Sequence, residues 1–291
     1  MRRVKLPYAL NTLSGTTRFF CESHSKQVIV RCPFQCAQAH GGCFLERRPE
    51  RDILVHAVRS PLYLVFQFRP CSSGELKLKN TQVLEKQRVH LYSHPDCVSH
   101  QTPEGHPERS ERLSFLLEHL EQTGFTQDYP LLEAPPIDKD LIALAHHPEL
   151  VNRLRQSVPQ TGLTPLDPDT WMGPASLTGA FQAAGSVWQG VKDVTQSETN
   201  RVFCAVRPPG HHAEFDSPMG FCLLNSVAIG AINALNLPNI DRVAIMDFDV
   251  HHGNGTVDLC REYPEILVCS SFQHPYYPHR LHDVRAPNIV N

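Results

Sequence analysis

The chain has 291 residues, 41% of them hydrophobic and 20% charged, with a formal net charge of −3. Those proportions fit one large globular domain or two of ordinary size. No apolar run reaches the ~20 residues that span a bilayer, and no apolar segment with a small-residue cleavage site follows Met1-Arg2-Arg3. A cytoplasmic location is therefore expected, or a nuclear one if the source is eukaryotic, and the ten cysteines read as buried thiols rather than disulfides.

Charge divides the chain unevenly. Residues 1–89 carry 15 Lys+Arg against 6 Asp+Glu, and residues 90–291 carry 12 against 24. Phosphate contacts need clustered positive charge, so nucleic-acid binding is not expected of the acidic part. Residues 1–87 read as a basic, poorly defined extension, disordered or spurious. They contain apolar runs at Val28–Val30 and Leu62–Phe68, the second a strand candidate. Cys32, Cys36, His40 and Cys43 imitate a small zinc site, but their spacing makes no pair of C-x₂-C hooks.

From 88 onward the texture is that of a folded domain. Val89–Ser93 reads as a strand and His94–Arg109 as a polar loop. A helix follows over Ser110–Thr123, with Leu113, Leu116, Leu117 and Leu120 on one face and Gly124 at C′. Tyr129–Glu133 reads as a strand, and Leu141–Ala145 and Pro148–Gln156 as short helices. Pro174–Val194 reads as a long helix with proline in its first turn. Strands at Val202–Val206, Arg242–Asp249 and Ile266–Ser271 then alternate with helices at Leu223–Leu235 and Thr256–Glu262. That alternation predicts an α/β fold, a parallel sheet flanked by helices.

Two motifs carry chemistry. Asp247-Phe248-Asp249-Val250-His251-His252-Gly253-Asn254-Gly255 follows the apolar run Val243–Met246. Alternate residues of a strand share a face, so Asp247, Asp249 and His251 would point together at the strand's carboxyl end, where α/β sheets bind ligands. Two carboxylates and an imidazole at one point call for a cation, and a mixed N/O set suits a catalytic zinc. The alternative is a strand running into a polar turn. Arg207-Pro208-Pro209-Gly210-His211-His212 follows the strand at 202–206. It would present a histidine pair in the same layer, able to supply a general base and an electrostatic partner. Asp247 and Asn254 could orient the two rings. Taken alone, an adjacent histidine pair is most often surface structure or a support for other site residues.

The blocks RPPGHHA, GFCLLN (Gly220–Asn225) and DFDVHHGNGT together resemble the core of the histone deacetylase superfamily, in the order seen in class II and bacterial deacetylase-like amidohydrolases. The flanking blocks His94–Leu113 and Asp167–Gly185 agree, and the likeness runs from about 88 to 291. It implies an arginase/deacetylase-like fold and hydrolysis of acetyl-lysine or acetylpolyamine amides, with no membrane partner. Asp249 and His251 match two zinc ligands. His211 and His212 match the catalytic histidine pair, with His212 the general base; Asp247 matches the carboxylate behind His211, and Asn254 fits the class II pattern. Gly220 and Phe221 match the wall of the acyl-lysine tunnel. Asp247, Asp249, His251, Ser270 and Ser271 match positions around a potassium ion. Arg109 matches a basic residue of the cavity below the metal.

The same resemblance implies a third zinc-ligating aspartate and an oxyanion tyrosine in loops that lie after the point matched by Asn291. The fold is thus expected to be incomplete at the carboxyl end, with a long parallel sheet edge exposed and the isolated chain impaired. Two readings compete with a zinc deacetylase: a non-catalytic remnant or acyl-lysine-binding module, and an arginase-like manganese hydrolase, against which the order of the ligand blocks argues.

Overall fold

A computed structural model describes residues 89–291 apart from 197, together with the backbone of strands at 18–19, 28–29, 52–58 and 62–68. The cysteine and histidine cluster at 32–43 lies outside the described residues, as does most of the expected extension 1–87. The chain divides into two compact units, Met1–Glu46 and Arg47–Asn291. In the first, β1 (Arg18–Phe19) pairs antiparallel with β2 (Val28–Ile29).

The second unit holds an eight-stranded sheet. Its elements in chain order are β3 (Asp52–Val58), β4 (Leu62–Phe68), β5 (Val89–Tyr92), α1 (Pro95–Ser99), α2 (Glu111–Gln122), α3 (Phe125–Asp128) and β6 (Leu131–Leu132). There follow α4 (Lys139–Ile142), α5 (Pro148–Ser157), β7 (Thr164–Pro165), β8 (Trp171–Met172), α6 (Ser176–Gln196) and β9 (Arg201–Ala205). The last are α7 (Ser226–Ala234), β10 (Arg242–Asp247), α8 (Asn254–Cys260), β11 (Ile266–Ser270) and β12 (Ile289–Val290). The sheet order is β12-β11-β10-β3-β4-β9-β5-β6, and β7 pairs with β8 apart from it. Among the described residues no helix is long and apolar enough to cross a membrane.

The α/β fold with its largely parallel sheet is borne out. β4 alone runs against both neighbours. The reason is chain length: three residues join Val58 to Leu62, whereas a parallel connection needs about a dozen. This hairpin also places Asp52–Val58 and Leu62–Phe68, which precede the boundary expected at 87/88, in the sheet of the second unit. It changes the expected edge as well. β10 is paired on both sides, by β11 and β3, and the sheet ends in the two-residue strands β12 and β6, so the long parallel edge is not found among the described strands.

Local chemistry sets the elements that matter for the site. Within the expected polar loop, Pro95 and a side-chain cap from His94 to the Asp96 N–H nucleate α1. Gly124 takes a left-handed φ of 75° and ends α2, as its position after the leucine stripe predicts. α6 and α7 pack on each other and on the sheet, and α7 is buried along its whole length. Its cap is Asn225, whose side chain accepts from the Ala228 N–H at 3.0 Å while its own N–H donates to His146 Nε2 at 2.9 Å. Cys97, Cys204, Cys222 and Cys260 are buried free thiols.

Candidate active site

β9 and β10 are three strand spacings apart, roughly 14 Å, with the hairpin between them. Pairing of Leu62 with Ala205 and of Ala57 with Asp247 puts the start of β4 and the end of β3 beside the carboxyl ends of β9 and β10. The loops that follow β9 and β10 converge at that end.

The two histidines stand with ring centroids 3.9 Å apart. His211 Nδ1 lies 2.9 Å from Asp247 Oδ2, and His212 Nδ1 lies 2.7 Å from Asn254 Oδ1. Both pairings are buried, and they match the orienting roles expected of Asp247 and Asn254. Their electrostatics diverge. Burial opposes charge on His211, but the attraction and hydrogen bond of Asp247, aided by Asp249, outweigh it and raise its proton affinity. His212 is held well below the ordinary histidine range, first by burial and then by repulsion from His211. A pair pushed in opposite directions can divide acid and base roles between its members.

Asp249 and His251 are brought together as expected. Asp249 Oδ1 accepts the His251 N–H at 2.8 Å and lies 3.3 Å from His251 Nδ1. Donors ~2.0–2.1 Å from a tetrahedral zinc are themselves roughly 3.3–3.4 Å apart, so the pair fits two corners of such a site. The potassium positions fit in part. Asp247 faces Ser270 across β10 and β11, and Ser270 Oγ is buried without a hydrogen-bond partner. Ser271 is exposed, and its N–H donates to the Asp247 carbonyl at 2.9 Å.

Glycines admit the close packing. Gly220 has φ 57°, and a Cβ there would sit 2.5 Å from the His212 ring. A Cβ on Gly253 would strike Asp247 Oδ2. Phe221, at φ 70°, places its ring edge-on to His106 at 4.7 Å, and its N–H donates to Thr170 Oγ1 at 3.0 Å. Tyr277 stands edge-on to His212 at 5.0 Å and to His251 at 5.8 Å. Neither Tyr277 nor His106 was expected at the site: Tyr277 lies outside the motifs, and His106, although inside the His94–Leu113 block, is brought to Phe221 only by folding. Burial, and next the charge of Asp169, pushes the Tyr277 phenol up.

Arg109 does not take the internal position expected of it. It is exposed and pairs with Glu111 at 3.7 Å. Its neighbour Glu108 turns inward instead and takes Arg207 in a two-pronged ion pair, Nε–Oε1 2.5 Å and Nη2–Oε2 2.7 Å. The buried guanidinium of this region is therefore Arg207, the first residue of RPPGHH. Its Nη1 also donates to the carbonyls of Cys97 and His100, tying the histidine loop to α1.

Among the described residues, His90, Asp193 and Glu198 form the one group of three whose donor atoms could meet a metal. Asp193 is already satisfied by His90 Nδ1 at 2.6 Å, Tyr92 Oη at 2.8 Å and Gln189 Nε2 at 2.8 Å. That arrangement is a hydrogen-bond hub joining β5 to α6, and it lies apart from the histidine pair in the sequence motifs.

A histone deacetylase domain model matches residues 106–287. An uncharacterized protein of Synechocystis sp. is 40% identical over 191 residues, covering 65% of this chain and 62% of its own length. A probable deacetylase of Archaeoglobus fulgidus is 32% identical over 187 residues, covering 64% and 51%. Histone deacetylase 5 of Arabidopsis thaliana is 34% identical over 197 residues, covering 64% and 30%. The chain thus spans less than two thirds of each relative. In structure it is similar to the HDA15 HD domain, with a TM-score of 0.63 and 30% identity over 67% of this chain and 56% of that one.

Proposed function

The chain belongs to the histone deacetylase family, and from that premise we propose that it is a zinc-dependent amidohydrolase for acetyl-lysine in proteins or for acetylated polyamines. The observation that carries this reading is the histidine pair, its two rings separately anchored and its proton affinities driven apart, beside Asp249 and His251 at zinc-ligand spacing. Zinc held there would polarise the acyl carbonyl and lower the pKa of a water towards ~7. Potassium is proposed for the oxygen site between Asp247 and Ser270.

The chain's own residues would do the rest. His212 is neutral, and with Nδ1 committed to Asn254 its Nε2 is the nitrogen that accepts the proton of the attacking water. His211, held protonated by Asp247, faces the developing oxyanion with positive charge. Gly220, Phe221 and Tyr277 wall the approach, and an aromatic wall suits the methylene stem of a lysine.

Turnover is proposed to be slow. Beside the histidine pair, among the described residues, Asp249 and His251 are the two that converge as ligands, and two protein donors hold zinc less firmly than the three usual in catalytic sites. The test is release of acetate from an acetyl-lysine peptide and from an acetylated polyamine by the 291-residue chain. Zinc is added or chelated, and the His212→Ala variant runs alongside. Peptide binding without acetate release would favour the acyl-lysine-binding module.

A further inference from the structure

Behind His212 runs a chain of polar contacts that the family motifs leave unexplained. Asn254 Oδ1 faces His212 Nδ1 at 2.7 Å. Its Nδ2 donates to Glu214 Oε1 at 2.7 Å, with longer approaches to Met219 Sδ at 3.3 Å and the His212 carbonyl at 3.4 Å. The other carboxylate oxygen of Glu214, Oε2, takes Arg280 Nη2 at 2.9 Å. Asn254 is fully buried and Glu214 nearly so, while Arg280 is half exposed. The four side chains thus make a line from the surface to the base.

An amide side chain can present either end to a neighbour, and an imidazole can carry its proton on either nitrogen. Left alone, the His212–Asn254 contact has two self-consistent forms. In one, the amide oxygen accepts from Nδ1–H and Nε2 is basic. In the other, the amide nitrogen donates to Nδ1 and the proton sits on Nε2, where a general base must have a lone pair. A carboxylate paired with a guanidinium offers acceptors only, so it demands the NH₂ end of Asn254 and turns the oxygen towards His212.

We propose that Glu214, held by Arg280, is the positioning residue that fixes the amide orientation of Asn254 and through it the productive tautomer of His212. The proposal rests on His212 being the base of the proposed reaction, but the tautomer can be read without turnover. In the full chain labelled with ¹⁵N-histidine, without metal, the nitrogen shifts of neutral His212 report which nitrogen holds the proton. The wild type is expected to be the Nδ1–H form. Glu214→Gln, whose carboxamide oxygen stays on Arg280 and whose NH₂ then faces Asn254, is expected to shift His212 towards the Nε2–H form, and Glu214→Leu to show mixed tautomers. Acetyl-lysine turnover should fall about 10–100-fold, as outer-sphere removals do, in kcat rather than KM.

The double variant Glu214→Gln with Asn254→Asp reverses the polarity of one hydrogen bond. The introduced carboxamide donates to the introduced carboxylate and still accepts from Arg280, and the carboxylate still accepts from Nδ1–H. It is expected to restore the Nδ1–H form and most of the lost turnover, and it keeps the test decisive if Glu214→Leu fails to fold. A single, unchanged Nδ1–H tautomer in Glu214→Gln overturns the proposal, whatever the activity. Shifted or mixed tautomers in a chain whose wild type hydrolyses nothing uphold it and refute the deacetylase reading instead.

Discussion

Replacing Glu108 by Gln removes the charge that neutralises Arg207. The guanidinium has no exposed surface, and Glu108 is 2% exposed. Burial alone would raise the Glu108 carboxyl above its ordinary 4.5, yet His100 and Arg207 together bring it to about 2. His100 Nε2, 3.3 Å from Oε2, and the two-pronged Arg207 guanidinium share in holding the carboxylate charged. A fall from 4.5 to about 2 corresponds to ~3 kcal/mol of stability. Breaking a buried ion pair by removing one member costs about 3–5 kcal/mol, which agrees. The sign follows from a depressed folded-state value. The contribution is complete above about pH 4.5 and is lost as pH falls towards about 2. Urea unfolding of both chains at pH 7 should show an unfolding free energy lowered by ~3 kcal/mol at constant m, and the gap should narrow between pH 4.5 and 2. A gap under ~1 kcal/mol, or one that stays constant into strong acid, would refute the reasoning.

Other expectations follow from the same geometry. Arg109→Ala should leave stability within ~0.5 kcal/mol and turnover unchanged, since Arg109 is a surface residue, whereas Arg207→Met should unsettle both; urea titration and acetate release separate the two. Gly220→Ala forces a Cβ against the His212 ring at a left-handed φ, and turnover should drop at least ~10²-fold while the chain still folds by circular dichroism. Asp249→Ala and His251→Ala should each weaken zinc binding, read by competition with a chromophoric chelator, by more than the ~10–100-fold typical of outer groups. Tyr277→Phe should keep KM for an acetyl-lysine peptide, and Tyr277→Ala should raise it about tenfold.

Much of this was legible in the residues. The run Leu62–Phe68 is a strand with the bounds its branched and aromatic residues suggest, but strand alternation is not what brings Asp249 to His251: β10 ends at Asp247, two residues short of the expected Asp249, and the pair is set by a turn in which Asp247 Oδ1 accepts the Asp249 N–H and Asp249 Oδ1 accepts the His251 N–H. What escaped was decided by pairing over long sequence distance. Nothing near Glu108 says that it, and not Arg109, faces inward; that depends on Arg207, 99 positions on. Glu214 lies two residues beyond His212, and its signal was present: an acidic residue inside an otherwise buried block needs a partner. Its consequence for the base appears only when Asn254 and Arg280 are brought to it. Hairpin β3–β4 was half read, because a strand pattern does not tell which neighbours it will take.

The most direct test is acetate release from an acetyl-lysine peptide by the 291-residue chain loaded with zinc. Slow turnover is expected, abolished by a chelator, restored by zinc and eliminated in His212→Ala. Turnover indifferent to chelation and to His212→Ala would contradict it, as would a zinc-loaded chain that binds the peptide and releases no acetate.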